Sequence, residues 1–306
     1  MRRIVISGGA GFIGHALVNR LADQGSYEIV VLDRPHRLDR AAQTLRTDKL
    51  LPCEFNLGEE LVHEFEGADC LVQLAYFTDP TSSMTNTLKD IENISTNLHL
   101  FDQAIKAGVE SVLFASSGGT VYGSPSTLPV PETTGGSPIS AYGVSKRAVE
   151  MYLDLLAGKT RTINMRIGNP YGPYQLQGTA VGFLAYALNA INTGAAVNIY
   201  GDGSTVRDYL YVDDLAIAIE SLINSTKCTG TYNIGSGQGH SLSDLLKILA
   251  TVTGQEVKAN FTSPRSFDVP AIVLDISKLQ QDSGWTPSTS LAEGIQLMWD
   301  FLRKSA

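Results

Sequence analysis

Short apolar runs rich in β-branched residues alternate with stretches of helical period through the first half of the chain. The run at 3–7 (RIVIS) ends in a cluster of glycines, and Leu17, Val18 and Leu21 beyond it share one helix face. Further strands are predicted at 28–32, 51–55, 70–74 and 111–115, with helices at 58–65 and 84–107 between them. Near-continuous apolar strands separated by helices imply a parallel sheet covered on both faces. A helix at about 141–156 and a strand at 161–167 extend the pattern. Beyond residue 168 the composition shifts toward Gly, Pro, Asn and Tyr and the pattern is less regular. Helices are expected at 181–192, 211–223 and 241–251, a strand at 231–234, and a last helix from about 290. Ser241 or Ser243 is the expected cap of the 241–251 helix.

The residues after the first strand, Gly8-Gly9-Ala10-Gly11-Phe12-Ile13-Gly14, satisfy both GxGxxG and GxxGxxG. In either register the turn is tight and a pyrophosphate can approach the N-terminus of the next helix, where free amides and the dipole favour anions. The second predicted strand ends in Asp33, 19 residues beyond Gly14, where a carboxylate is placed to bind both ribose hydroxyls of an adenosine. Asp33 favours NAD, since a 2′-phosphate would meet a carboxylate; Arg34 and Arg37 beside it pull toward NADP. The expected fold class is α/β. A Rossmann-type doubly wound parallel sheet takes residues 1–168 and about 208–236, and a smaller, interleaved α/β substrate-binding domain takes 169–207 and 237–306.

Charge and composition narrow the partners. The 306 residues carry 23 Lys plus Arg against 31 Asp plus Glu, a formal charge of −8. An acidic chain without a basic stripe is a poor binder of nucleic acid, and no apolar run approaches the about 18 residues of a membrane span. Cys53, Cys70 and Cys228 are scattered and the five histidines are dispersed, so no metal site is expected. Met1-Arg2-Arg3 leads directly into a strand instead of an apolar leader, and the expected compartment is the cytoplasm.

The chemistry centres on Tyr142 and Lys146, four apart and so on one helix face with Cβ atoms about 5–6 Å apart. An ammonium held close to a phenol favours the phenolate, so Lys146 would make Tyr142 a usable base near neutral pH. Taken alone, the spacing is also common on helices that do no chemistry. The segment Ser116-Ser117-Gly118-Gly119-Thr120-Val121-Tyr122-Gly123 follows a strand directly, at the carboxyl edge of the sheet where ligands of open α/β folds bind. It reads either as a Ser/Gly turn or as a row of hydroxyls facing a nicotinamide.

Together these ordered markers resemble the extended short-chain dehydrogenase/reductase family, and within it the NAD-dependent nucleotide-sugar epimerases and dehydratases. The markers are GGAGFIG at 8–14, Asp33, Asn93, SSGGTVYG at 116–123, YGVSK at 142–146, RIGNPYGP at 166–173, IYGDGSTVRDYLYVDD at 199–214, YNIGSG at 232–237 and RSFDV at 265–269. The resemblance implies Tyr142 as base, Lys146 as its partner and contact of the nicotinamide ribose, and Thr120 as a hydroxyl facing the sugar. It implies NAD held by Gly8, Gly11, Phe12, Ile13, Gly14, Asp33, Arg34, Asn56, Leu57, Leu74, Ala75 and Asn93 besides the Tyr142–Lys146 pair. The substrate it implies is a nucleotide sugar, a UDP-sugar first, on Ser117 and Thr120. Asn169 and Arg207 would hold its diphosphate, and Arg265 and Asp268 its nucleoside. The implied reaction is epimerisation at sugar carbon 4. A homodimer is implied through the two helices before 111 and after 141, with Leu98, Phe101, Ile105, Val149 and Tyr152 either as candidate face or simply as cover for the sheet.

This chain departs from the family pattern at several places. Gly118 replaces a common Ser, leaving Ser117, Thr120 or Tyr142 alone to meet the reacting hydroxyl. Asn56 stands for a frequent Asp, Gln73-Leu74-Ala75-Tyr76 replaces His-Leu-Ala-Ala, and Gly119-Thr120 replaces the Asp-Glu pair of the dehydratases. Without that acid a 4,6-dehydratase is not expected. Ile272 stands where some UDP-glucose 4-epimerases carry a Tyr that narrows the pocket, which would admit an N-acetylated sugar. A 4-keto-6-deoxy nucleotide-sugar reductase would use the same Tyr142 and Lys146, and a non-catalytic NAD-binding regulator would need neither.

Overall fold

The computed structural model describes residues 1–57, 59–177, 182–265 and 269–305. The first half runs β1 (Arg2–Ser7), α1 (Phe12–Gln24), β2 (Tyr27–Asp33), α2 (Pro35–Ala41), β3 (Leu50–Pro52), α3 (Val62–Phe65) and β4 (Cys70–Gln73). It continues through α4 (Ser82–Thr85), α5 (Thr87–Lys106), β5 (Ser111–Ser117), α6 (Gly118–Val121), α7 (Ala141–Asp154) and β6 (Arg161–Ile167). The second half runs β7 (Asn169–Tyr171), α8 (Phe183–Asn192), β8 (Val197–Tyr200), β9 (Val206–Tyr211), α9 (Val212–Asn224) and β10 (Gly230–Ile234). It closes with β11 (Gly239–Ser241), α10 (Leu242–Thr253), β12 (Ala259–Thr262), α11 (Ser277–Ser283) and α12 (Leu291–Ser305).

Among the described residues the central sheet has seven strands in the order β3-β2-β1-β4-β5-β6-β10, every pair parallel. This is the expected Rossmann-type doubly wound α/β architecture. Successive strand residues point to opposite faces, and here both faces are covered, so the strands read as continuous apolar runs. Ile4, Ile6, Val31 and Val72 pack under Leu17 and Leu21 of α1 and Leu215 and Ile219 of α9. Val5, Val30, Leu71 and Phe114 pack under Leu100 and Phe101 of α5 and Val149 and Leu153 of α7. Each such burial contributes roughly 1.5–3 kcal/mol. The strand order reverses between β1 and β4, so their carboxyl ends, Ser7 and Gln73, open a crevice.

The smaller layer holds β11-β9-β7 and the pair β12-β8, around Tyr171, Leu188, Ile199, Leu245, Ile295 and Trp299. Strand β9 pairs with β7 and β11, while its Leu210 and helix α9 after it pack with the core of the large sheet. Ser241 caps α10 in a reciprocal capping box with Asp244.

Several elements differ from expectation. The 84–107 helix is two helices broken at Asn86 (φ −141°, ψ 70°), because Asp79 accepts the amides of Thr81 and Ser82 while Ser83 and Thr78 donate to the buried Asp90. That local bonding competes with helix continuation. The 51–55 strand stops at Pro52, since Phe55 turns through φ +59°. The 58–65 helix keeps one turn, α3; Gly58 and Val181, expected helix starts, lie outside the described residues. No reading of the sequence gave α2, β8, β12 or α11. Phe101 and Val149, offered as dimer face, are 0% exposed because they cover the sheet. The large apolar residues that do face outward on α5 and α7 are Leu88, Ile91, Val144, Met151 and Tyr152, with Leu155 at the end of α7. No helix among the described residues is long and apolar enough to cross a membrane.

Candidate active site

The glycine turn is fixed by crowding. Gly8 has φ +79°, and a Cβ there would lie 2.6 Å from the Ala75 amide; one at Gly14 would lie 2.4 Å from the Gly8 carbonyl. The N-cap of α1, Gly11, makes no side-chain cap bond, and the first turn, from Phe12 through Ile13, carries no acid. Open amides at an uncapped helix N-terminus suit a pyrophosphate. At the end of β2, Asp33 is buried and accepts from Ala10 N (3.0 Å) and Arg34 N (2.8 Å). Burial raises its pKa, opposed by the Arg34 amide and the Arg37 charge. A carboxylate on that strand end, beside an uncapped helix start, fits a dinucleotide.

The remaining expected cofactor residues shape this edge in different ways. The amides of Leu74 and Ala75 both donate to Ser7 O. Asn93 spends its side chain inside the protein, accepting from Phe77 N (2.8 Å) and donating to Thr78 Oγ1 (3.0 Å), so it braces the loop after β4. Arg34 stacks on Phe77, 4.6 Å from the ring centroid. Asn56 and Leu57 are exposed in the loop after β3.

A cleft of about 1060 Å³ runs from the glycine turn past α7 to β9. It brings together Gly11, Phe12, Ser117, Thr120, Tyr142, Asn169, Arg207 and Arg265, all singled out from sequence. Ser140 Oγ accepts from Gly143 N (3.1 Å) and starts α7, which carries Tyr142 into the cleft and Lys146 beneath it. Thr120 Oγ1 is buried without a hydrogen-bond partner, a state that a substrate hydroxyl would relieve. Arg207, on β9, donates to Val206 O, and Arg265 lies over the Tyr200 ring at 4.7 Å. Asp268 lies outside the described residues.

Three sequence expectations change here. Lys146 Nζ donates to Ala115 O (2.7 Å) and lies 5.6 Å from the centre of the Tyr142 ring. Burial lowers its pKa to about 7, opposed by Glu150 and Asp90. Tyr142 is not made more acidic: burial raises its pKa, with Asp79 and Asp90 adding to the effect. Second, the side-chain position of Gly118 is filled, since a Cβ there would lie 2.7 Å from Leu274 Cδ1; the neighbouring hydroxyls of Ser117 and Thr120 are the ones in the cleft. Third, Ile272 is 1% exposed and packs in the core, while Val269 lines the cleft. It therefore gives no argument about pocket width.

Sequence reading gave no role to Asp79, which lines the cleft beside Tyr142, to Asp90, or to Asp208. Asp208 accepts from Ser236, Gly237 and Leu274 and ties β9 to the loop after β10. Behind Lys146, Glu150 is met by Arg166 (2.8 and 3.0 Å), Arg147 (2.8 Å) and Ser116 (2.5 Å), which fixes α7 to β5 and β6.

A doubly wound sheet and an uncapped glycine turn at the edge of one cleft define a dinucleotide-binding type of architecture. A sequence profile of the NAD dependent epimerase/dehydratase family matches residues 4–235, and the chain belongs to that family. It is 31% identical to the dTDP-4-dehydro-6-deoxyglucose reductase of Escherichia coli, over 98% of this chain and 97% of that one. Among solved structures, UDP-glucose 4-epimerase from Thermotoga maritima with UDP-glucose superposes with a TM-score of 0.90 at 31% identity, covering 99% of each chain. The Thermus thermophilus UDP-glucose 4-epimerase complexed with NAD gives 0.89 at 30%, covering 99% of this chain and 100% of that one. The protein is thus a nucleotide-sugar epimerase/dehydratase-type enzyme with NAD as its cofactor.

Proposed function

We propose that the protein is a 4-epimerase of nucleotide sugars, UDP-hexoses first among them. The observation that carries this is one cleft holding Tyr142 and the unpartnered Thr120 hydroxyl, with the glycine turn at one side and Asn169, Arg207 and Arg265 at the other. When bound, NAD supplies the acceptor for a hydride from sugar carbon 4 and its return to the opposite face. Tyr142 takes the proton of the 4-hydroxyl as that carbon is oxidised and gives it back on reduction. Thr120 and Ser117 orient the reacting oxygen, and Lys146 places a positive charge beneath the phenol. Arg207 and Asn169 hold the diphosphate and Arg265 the nucleoside, so the hexose can turn over between fixed anchors. Residues 1–168 and about 208–236 would carry the cofactor, and residues 169–207 and 237–306 the nucleotide sugar. Free, buried cysteines suit a cytoplasmic setting, and the outward apolar residues on α5 and α7 support a homodimer.

A second reading, reduction of a 4-keto-6-deoxy nucleotide sugar, is favoured by the Escherichia coli relative. Purified protein is incubated with UDP-glucose without added cofactor, and separately with dTDP-4-keto-6-deoxyglucose plus NADH. UDP-galactose formation without net redox change supports the epimerase. Stoichiometric NADH consumption with the keto sugar, and none of the first reaction, replaces it with the reductase.

A further inference from the structure

Lys146 is enclosed by aromatic faces. Its ammonium lies 3.6 Å from the centroid of Tyr76, 4.8 Å from Phe114 and 5.6 Å from Tyr142, and the residue is 3% exposed. The Tyr76 ring also stands edge-on to Tyr142, with centroids 5.5 Å apart and planes at 78°. One side chain therefore touches both members of the pair. Its hydroxyl donates to Ser145 Oγ (2.8 Å), which lies within hydrogen-bond distance of Asp90 Oδ1 (3.2 Å) and of the Tyr142 carbonyl (3.0 Å).

The charged and titratable groups around Lys146 come from three elements. Tyr142 and Glu150 are on α7, Asp90 is on α5, and Tyr76 is in the loop after β4; β5 adds the Phe114 ring and the Ala115 carbonyl. Glu150 is already committed to two guanidinium groups, Arg147 and Arg166. Asp90 is 3% exposed and is met by the hydroxyls of Thr78, Ser83 and Ser145, with no cation in salt-bridge contact among the described residues. Its charge is thus less compensated than that of Glu150. A ring face attracts a desolvated ammonium, and a buried carboxylate favours the charged amine.

We propose that Tyr76 is a positioning residue for the Tyr142–Lys146 pair: its ring roofs the ammonium, Ser145 anchors its hydroxyl, and Asp90 behind them favours the charged form of the amine. The role rests on Tyr142 and Lys146 being the working pair of the proposed reaction. It concerns the charge of one amine, which can be read without any sugar.

The test follows the ¹⁵Nζ shift of Lys146 against pH in the cofactor-free protein, assigned with Lys146→Arg. Tyr76→Leu keeps apolar bulk without the ring quadrupole, and the Lys146 titration should fall by about one pH unit. Asp90→Asn should lower it as well, and Tyr76→Phe should leave it close to wild type. A purely structural Tyr76 would change stability and leave the titration in place; equal titration in Tyr76→Leu and wild type overturns the proposal. If Tyr76→Leu does not fold by circular dichroism, Asp90→Asn decides, and an unchanged Lys146 there overturns it. The alkaline limb of kcat should move with the amine. A shifted amine with an unmoved limb shows that Tyr76 sets the charge of the amine but overturns the pair, and with it the positioning role, as part of the reaction.

Discussion

A Cβ built on Gly118 would stand 2.7 Å from Leu274 Cδ1 and 3.1 Å from the Arg166 carbonyl. These residues are 156 positions apart in the chain, and Leu274 is fully buried in the core over the sheet. The absent hydroxyl is thus part of a packing arrangement.

Gly118→Ser should therefore destabilise, by about 1–3 kcal/mol for an overpacked site. Leu274→Ala alone should cost about 2–5 kcal/mol. In the double variant the two should be less than additive, with at least about 0.5 kcal/mol of coupling. Urea unfolding of the four proteins measures this, and strict additivity would show that the two side chains do not compete for space.

Tyr142→Phe removes the proton acceptor and keeps the ring against Tyr76. Turnover should fall about 10²–10⁴-fold, the contribution expected of a positioned acid–base, while NAD binding by calorimetry stays within a few-fold of wild type. Unchanged turnover would refute Tyr142 as the base.

Burying Lys146 couples folding to pH. Its folded pKa is about 7 against 10.5 for an ordinary lysine, so between these the unfolded chain holds a proton that the folded one has released. Stability then rises with pH through this window, with a slope that approaches about 1.4 kcal/mol per pH unit for this group. Wild type minus Lys146→Met, compared by chemical denaturation of cofactor-free protein from pH 7 to 9, should show that rise. A flat difference would place the amine in a wetter site.

Asp33 accepts two amides, from Ala10 and Arg34, at the end of β2. Asp33→Ser should weaken NAD binding at least about 10-fold, because hydrogen bonds to a charged group contribute roughly 1.5–3 kcal/mol each. It should also tighten NADP relative to wild type, since Arg34 and Arg37 remain. An unchanged NADP-to-NAD ratio in calorimetry would remove the assignment of Asp33 to the ribose.

Apart from the 51–55 strand, which stops at Pro52, the expected strands and most helices formed where the apolar period placed them, and the cleft gathered Tyr142, Thr120, Asn169, Arg207 and Arg265 from stretches read as markers. The misses have two causes. The helix break at Asn86 rests on side-chain bonds inside 78–90, which the helical period of the apolar residues masked, whereas the loss of Phe101 from an outer face depends on sheet packing, which no short window contains. Tyr76 was visible as a departure in Gln73-Leu74-Ala75-Tyr76, but nothing local said that its ring would lie on Lys146, 70 residues away.

By itself the sequence determined the α/β alternation, the glycine turn into α1 and the Tyr142–Lys146 spacing. Side-chain period, backbone freedom at glycine and one helical turn are properties of neighbouring residues. Tertiary structure alone decided the protonation balance of that pair. Desolvation, the Asp79 and Asp90 charges, the Tyr76 roof and the Leu274 contact with Gly118 arise only when distant segments pack and exclude water.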